Sequence, residues 1–484
     1  MKVWIPVTIL AATLTVTAAA AARTDGDSSS KRYVVAFAQP SGLPADAAQL
    51  VGSAGGAIST SLPQVGGLRV TASNPGFASA MLASPEVLAV DVETAWRMTP
   101  RDDAGGAAPA RPSRLDPVGG MDPLYGQQWD KLRLDATPSG SYAVQRGRRD
   151  VVVAVLDSGA DLTHPDVAPN LDVTRSRSFV ASEPDLQDHL GHGTWVLSAI
   201  AAPINGVGIS GVAPNVTTVA LKVLDRNGVG TSASVAQALV YAGQSHFDVA
   251  SMSIGVYLDP KANKADITLV QRAVDFARRN GVLPIGSLNN DNLDLSDNKV
   301  MGKTVELPAE LDGVVGVSAT GYANQKAYYS NYGSKEADVA APGGDKRFQL
   351  PPAPYGGGGR LLGAWTAETA GLLDPSLVEQ DCEPGFACAT YAWEQGTSMA
   401  APQAAGVAAL IVSQYGRPHL SPSELESRLL ASAVPDACPS PPTVTYDLPP
   451  GLFAFNTATC KGKPDASSFY GAGVVNALRA VTAP

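Results

Sequence analysis

Three short segments carry side chains that could turn an ordinary hydroxyl into a nucleophile. Asp157 stands in Asp157-Ser158-Gly159, directly after the apolar run Val151–Leu156. His192 stands in Gly191-His192-Gly193-Thr194 and opens an apolar helical pattern. Ser398 stands in Gly396-Thr397-Ser398-Met399-Ala400-Ala401-Pro402 and opens another. A serine hydroxyl attacks poorly near neutral pH. An imidazole that takes its proton, itself oriented by a carboxylate, activates it. Each segment alone has a plainer explanation. A strand-ending carboxylate can bind a metal or a nucleotide, a lone histidine is usually structural, and a serine at a helix start is usually a cap. The glycines beside His192 leave room around a working imidazole. The helix-head position of Ser398 sets its hydroxyl beside free backbone N–H groups that can stabilise an anion. Read together, the three point to acyl transfer.

The elements that must position these groups are legible as an alternation. Val151–Leu156 is a continuous β-branched run, as expected of a parallel strand buried on both faces. Residues 216–224 and 247–254 are similar. Helical patterns fall between them, at 194–202, 232–244 and 268–279, the last stopped by Gly281. The pattern predicts an α/β fold of three layers, a mostly parallel central sheet with helices on both faces. Ligand chemistry then belongs outside the carboxyl ends of the strands, where Asp157 stands. Pro284 is unexpected in such a sheet, because it cannot donate to the ladder. Residues 31–98 read as a smaller α+β unit, with strands at 33–37, 68–71 and 87–90 and a short helix at 77–83. Residues 343–392 and 434–467 interrupt the alternation and are expected to be surface insertions. Ser421-Pro422-Ser423-Glu424 carries a helix-start signature between them.

The chain has 484 residues, 45% hydrophobic and 17% charged, enough for a large core and more than one unit. Its net charge of −10 argues against a general nucleic-acid binder. Residues 1–120 are neutral, with 9 basic and 9 acidic side chains, so all the excess charge lies further on. Residues 1–22 open with Lys2, run apolar and end in Ala18 to Ala22, which reads as a secretory signal peptide. Residues 99–120 are rich in Gly, Pro, Ala and Asp and read as a linker and processing region, with Arg101, Arg111 and Arg114 open to proteolysis. The expected plan is a signal peptide (1–22), a small unit (23–98), the linker (99–120) and a large α/β domain (121–484). Such a chain would be exported, extracellular, free of the membrane once the signal is gone, and a monomer. The four cysteines, Cys382, Cys388, Cys438 and Cys460, suggest disulfides in that setting. Local pairing, 382 with 388 and 438 with 460, is the simplest of three connectivities.

The order Asp157, His192, Ser398, together with its surrounding motifs, resembles the subtilisin-like serine proteases, or subtilases. The resemblance covers almost everything after Asp122. It includes Asp188-His189-Leu190-Gly191-His192-Gly193-Thr194, Gly211-Val212-Ala213-Pro214, Tyr329-Ser330-Asn331-Tyr332-Gly333, Val339-Ala340-Ala341-Pro342-Gly343 and Gly473-Val474-Val475-Asn476-Ala477. Residues 33–92 resemble the family's inhibitory propeptide more weakly. The resemblance implies a secreted serine endopeptidase, made as a self-processed zymogen, acting on peptides or proteins without a catalytic cofactor. Ser398 would be the nucleophile, His192 the base and Asp157 its orienting partner. Asn290, in Gly286-Ser287-Leu288-Asn289-Asn290-Asp291, would be the oxyanion donor, with Asn289 where the family has Gly. Ser253-Ile254-Gly255 matches the substrate-binding segment. Residues 203–209 match a calcium loop, with Asn205, Asp166 and Asp122 as ligands. Gln395, Gln403, Ser251 and Trp195 depart from the family pattern. Two other roles remain compatible with these residues, a catalytically silent peptide-binding groove and a dedicated processing protease for one leader peptide or partner.

Overall fold

Strand Val152–Asp157 explains the layering by itself. All six residues are buried, and they alternate between two cores. Val153 and Val155 enter one apolar cluster with the helices His192–Ala201 and Thr397–Tyr415. Val152, Ala154 and Leu156 enter another with the helices Ser232–Gln244 and Lys264–Arg279. Successive side chains of a strand point to opposite faces, so a run apolar at every position needs a layer on each side. The architecture comes from a computed structural model that describes residues 30–98, 120–347, 359–382, 388–416, 420–448 and 452–483. The expected signal peptide and nearly all of the expected linker lie outside these residues.

The main sheet has seven strands in the order Val339–Pro342, Val315–Thr320, Leu283–Ser287, Val249–Met252, Val152–Asp157, Thr217–Lys222 and Arg177–Ser178. Every neighbouring pair is parallel. Pro284 fits because of its register. Leu283 N donates to Asp248 O, so the next backbone nitrogen faces the other neighbour. The ladder on that side begins only at Ile285.

Residues 31–92 form a four-stranded antiparallel sheet in the order Gly56–Leu62, Gly67–Ala72, Lys31–Phe37 and Val87–Val92. Gly56–Leu62 and the helix Ala47–Ser53 were not apparent in the sequence, because their small and polar residues carry weak periodicity. One face of this sheet packs on its own helices through Tyr33, Val35, Phe37, Val70 and Phe77. Val34, Ala36, Leu62 and Ala89 face the other way and join the cluster of helices Ser232–Gln244 and Lys264–Arg279. The contact is also polar. Arg272 donates to the carbonyls of Phe37 and Val65, and Asp91 accepts from Ala265 N and Asp266 N at a helix start.

The first of the two interruptions is not the surface insertion expected, whereas the described residues of the second lie largely at the surface. Leu361–Ala364, Val378–Asp381 and Ala389–Glu394 form an antiparallel sheet whose first and last strands are wholly buried. This sheet packs on helix His192–Ala201, where Trp195 Nε1 donates to Ala392 O at 3.1 Å and Ser198 Oγ accepts from Ala364 N at 2.9 Å. The Gly- and Pro-rich stretch ahead of it masked the aromatic alternation of Tyr391 and Trp393. Thr443–Thr445 and Thr457–Thr459 pair as two antiparallel strands. Disulfides join Cys382 to Cys388 and Cys438 to Cys460.

Candidate active site

Asp157, His192 and Ser398 are presented by three different elements at the carboxyl end of the sheet. Asp157 ends its strand and is buried, and both its carboxylate oxygens reach His192 Nδ1, at 2.8 and 3.0 Å. Oδ1 also accepts from Ser158 N at 2.7 Å. His192 begins its helix. The turn before it is held by the buried Asp188, which accepts from Leu190 N, Gly191 N, Thr194 N and Thr194 Oγ1. Asp188 also accepts from Ser158 Oγ, which itself accepts from Gly193 N. One carboxylate thereby ties the strand end of Asp157 to the helix start of His192. The glycines beside His192 do not provide room, contrary to expectation. A Cβ on Gly191 would lie 2.2 Å from the Trp365 ring, and one on Gly193 would lie 2.4 Å from Gly159 O. They permit close packing behind the imidazole instead.

Ser398 is the second residue of helix Thr397–Tyr415. Its Oγ lies 3.2 Å from Ser253 O, and its carbonyl accepts from Ser253 Oγ at 2.8 Å. Pro402 makes the second bond possible. Residue i+4 of a helix normally donates to the carbonyl of residue i, and proline has no N–H. The Ser398 carbonyl is left for Ser253. Ser253-Ile254-Gly255, the expected substrate segment, therefore abuts the candidate nucleophile.

The two adjacent asparagines separate cleanly. Asn290 Oδ1 accepts from Thr397 N and Thr397 Oγ1, both at 2.9 Å. That fixes the amide and turns its NH2 toward the helix head, where a Cβ on Gly396 would be 3.4 Å from Nδ2. Asn289 is buried at φ +64°, donates to Glu306 Oε1 at 3.0 Å, and packs so closely under Gly255 that a Cβ there would clash. Asn289 is a support and Asn290 faces the site.

A second wall was not found from sequence. Residues Ala95–Arg97 pair antiparallel with Val229–Thr231, and Met98 N donates to Gly228 O at 2.9 Å. A Cβ on Gly228 would meet Met98 Cβ at 3.2 Å and Leu190 Cδ2 at 3.5 Å. The tail of the amino-terminal unit thus runs as an added strand up to the His192 turn. Trp96, wholly buried beyond an otherwise weak strand pattern, was the signal available.

The departures from the family pattern serve the neighbouring structure. Trp195 lies against the inserted sheet at Gly363. Gln403 bonds Asp130 and Lys131 in a buried cluster, and Gln395 bonds Lys346 N and Tyr328 Oη. Ser251 is buried within its strand.

The three expected calcium ligands meet at one loop. Asp122 accepts from Asn205 N, Gly206 N and Ser210 Oγ. Asp166 Oδ2 accepts from Ile209 N and Tyr391 Oη, while its Oδ1 is buried without a hydrogen-bond partner. Asn205 Oδ1 accepts from Val207 N, and Asp381 accepts from Gly208 N. Burial, with Asp122 and Asp381 nearby, pushes the Asp166 carboxyl well above the usual range. Among the described residues no group of three or more His, Cys, Asp and Glu side chains is gathered around one metal position.

The sheet thus presents a paired carboxylate and imidazole, and a helix-head hydroxyl, at the carboxyl ends of its central strands. Residues 148–473 match the profile of the subtilase family, and the chain belongs to that family of serine-type endopeptidases. It is 31% identical over 328 residues to a thermostable alkaline protease of Halalkalibacterium halodurans, a match covering 68% of this chain and 66% of that one. It is 32% identical over 284 residues to subtilisin DY of Bacillus licheniformis, covering 59% and 84%. Among solved structures, an epidermin leader peptide processing serine protease from Staphylococcus aureus superposes with a TM-score of 0.70 at 20% identity, covering 94% of this chain and 99% of that one. A lanthipeptide protease superposes with a TM-score of 0.56 at 29% identity, covering 73% and 93%.

Proposed function

We propose that the chain is an exported serine endopeptidase made as a precursor, with Ser398, His192 and Asp157 as its relay. Ser398 Oγ attacks the scissile carbonyl while His192 takes its proton. His192 then returns that proton to the leaving amine, which leaves an acyl-enzyme on Ser398. Water, activated by the same imidazole, releases the acid. Asp157 holds the Nδ1–H tautomer and stabilises the imidazolium. Asn290 Nδ2 and Ser398 N stabilise the oxyanion. The observation that carries this reading is the hydrogen bonding of His192 Nδ1 to both carboxylate oxygens of Asp157, together with the Thr397 grip that aims the Asn290 amide.

Residues 23–98 would act as the inhibitory propeptide, with cleavage beyond Met98, in the expected linker. Strand addition of Ala95–Arg97 beside the His192 turn supports this. The test is the intact mass of the secreted protein, wild type beside Ser398→Ala. The wild type should lose its amino terminus through the linker and the variant should keep it. Retention by both would sink self-processing.

A structural calcium ion is proposed at residues 203–210, held by Asp166 and Asp122 with Asn205. The partnerless Asp166 Oδ1 and the all-oxygen donor set suit a hard cation. It would neutralise buried carboxylates and take no part in the chemistry.

A narrower role, processing of one leader peptide or partner, is favoured by the 29% identity to a lanthipeptide protease. Broad hydrolysis of an unfolded protein would exclude it.

A further inference from the structure

The main chain around Asn290 is bent and needs holding. Asn289 at φ +64° and Asn292 at φ +54° both lie in the left-handed region, which residues with side chains seldom adopt. Such a bend persists only where its surroundings over-determine it. Asn290 itself is half-buried, and its amide is held by Thr397. Its backbone has a different holder.

Asn331 grips the chain on both sides of Asn290. Its backbone N–H donates to Asn289 O at 3.1 Å, one residue before Asn290. Its side-chain Oδ1 accepts from Asp291 N at 3.1 Å and from Leu293 N at 2.9 Å, both beyond Asn290. Neighbours on the same segment complete the tie. Asn292 N donates to Tyr329 O at 2.7 Å, and Tyr332 N donates to Leu293 O at 3.0 Å. Asn331 is wholly buried, so water does not compete for these bonds.

The amide of Asn331 is fixed in turn. Its Nδ2 donates to Tyr257 Oη at 2.6 Å, and Tyr257 Oη donates to Asp291 Oδ2 at 2.5 Å. A hydroxyl has one proton, and giving it to a carboxylate leaves the oxygen to accept from Asn331. Turning the amide over would set Oδ1 against that oxygen and NH2 against two backbone N–H groups. Tyr257 stands on the strand Val256–Leu258, directly after Gly255. The bonds therefore run from the end of the Ser253-Ile254-Gly255 segment through Tyr257 and Asn331 to the turn that presents Asn290.

We propose that Asn331 is the positioning residue for the oxyanion donor, fixing the backbone on either side of Asn290 as Thr397 fixes its side chain. The proposal rests on the reading of Asn290 as that donor. A donor stabilises the developing oxyanion only from the place that the oxyanion, not the ground-state carbonyl, will occupy. A turn that relaxes slightly keeps substrate binding and loses rate.

The test is a double-mutant cycle on the processed enzyme with a short peptide substrate, active sites being counted by stoichiometric phosphonylation of Ser398. Asn331→Ala should lower kcat per site about tenfold and leave KM within about twofold, a part of the 10²–10³ that loss of the donor itself costs. In the Asn290→Ala background the same substitution should change kcat by less than about twofold, because no donor is left to misplace. Tyr257→Phe removes the group that orients the Asn331 amide and leaves the buried asparagine in place. It should lower kcat by about two- to fivefold, again only where Asn290 is present, and it carries the comparison if Asn331→Ala does not fold. A merely structural role would lower Tm and the number of active sites while kcat per site stays unchanged. That result, an equal loss of kcat in both backgrounds, or a rise in KM at constant kcat overturns the proposal. An Asn290→Ala enzyme as fast as wild type overturns the donor reading and this proposal with it, and leaves Ser398 as nucleophile untouched.

Discussion

The candidate active centre and the docking face of residues 31–98 are built on opposite plans. The centre gathers side chains from three separate elements, and each is held by a bond to a neighbour: Asp188 to the His192 turn, Ser253 to Ser398, Thr397 to Asn290. The docking face is a surface, with apolar residues on a sheet against two helices and carboxylates at its margin. A centre of this kind fails when one group is removed, because the groups act as a unit. A face fails gradually, because its energy is spread over area and charge.

Removal of the nucleophile is the sharpest way to test the contrast. Ser398→Ala should lower kcat on a peptide substrate by about 10⁶, while the docking face stays intact and unfolding still shows both units present. An activity loss of tenfold or less would mean that another group attacks.

The asparagine pair separates chemistry from support within the centre. Asn290→Ala should cost about 10²–10³ in kcat with little change in KM. Asn289→Ala should act on stability instead, lowering Tm through the lost bond to Glu306. The reverse pattern would exchange their roles.

The docking face should answer to pH. Burial pushes the Asp266 carboxyl from its ordinary 3.8 up to about 7, countered by Thr94 and raised further by Asp91. Folding then takes up a proton between those values, so stability falls as pH rises from about 4 to about 7 and levels above, with a slope of at most ~1.4 kcal/mol per pH unit. Thermal unfolding of the Ser398→Ala precursor across that range should show the decline, and Asp266→Asn should flatten it. A slope unchanged by Asp266→Asn would place the titration elsewhere.

The smallest effect concerns the loop at residues 203–210, remote from both regions. Chelation of calcium should lower Tm by about 1–2 °C, the shift expected in a domain of this size for a loss near 1 kcal/mol, and leave kcat on a short peptide unchanged at low temperature. A Tm indifferent to chelation would mean that the hydrogen bonds of Asp122, Asp166 and Asp381 close this loop alone.

Much of the centre was legible because its signals are local. Asp157 follows an apolar strand, His192 and Ser398 open apolar helices, and the proline four residues after Ser398 is visible in the chain. The run from Tyr33 to Phe37 was legible as a strand, but its meaning was not. An antiparallel strand with one solvated face alternates, whereas this one is apolar throughout, and the second face needed a partner that only the helix Lys264–Arg279 supplies. The glycines around His192 misled for a related reason, since what fills the space beside a glycine comes from Trp365 and Gly159, distant in sequence.

The sequence by itself determined the strand and helix alternation, the three chemical groups and their order, because these follow from periodicity and from residue type along the chain. It did not determine that Asp188 joins the Asp157 and His192 elements, that Thr397 fixes the Asn290 amide while Glu306 holds Asn289, that a sheet with two buried strands lies ahead of Gly396, or that Trp96 Nε1 meets Ser232 Oγ. Those depend on which distant backbone lies within hydrogen-bond or packing distance. Short-range periodicity carries no record of that approach, and only the packed chain decides it.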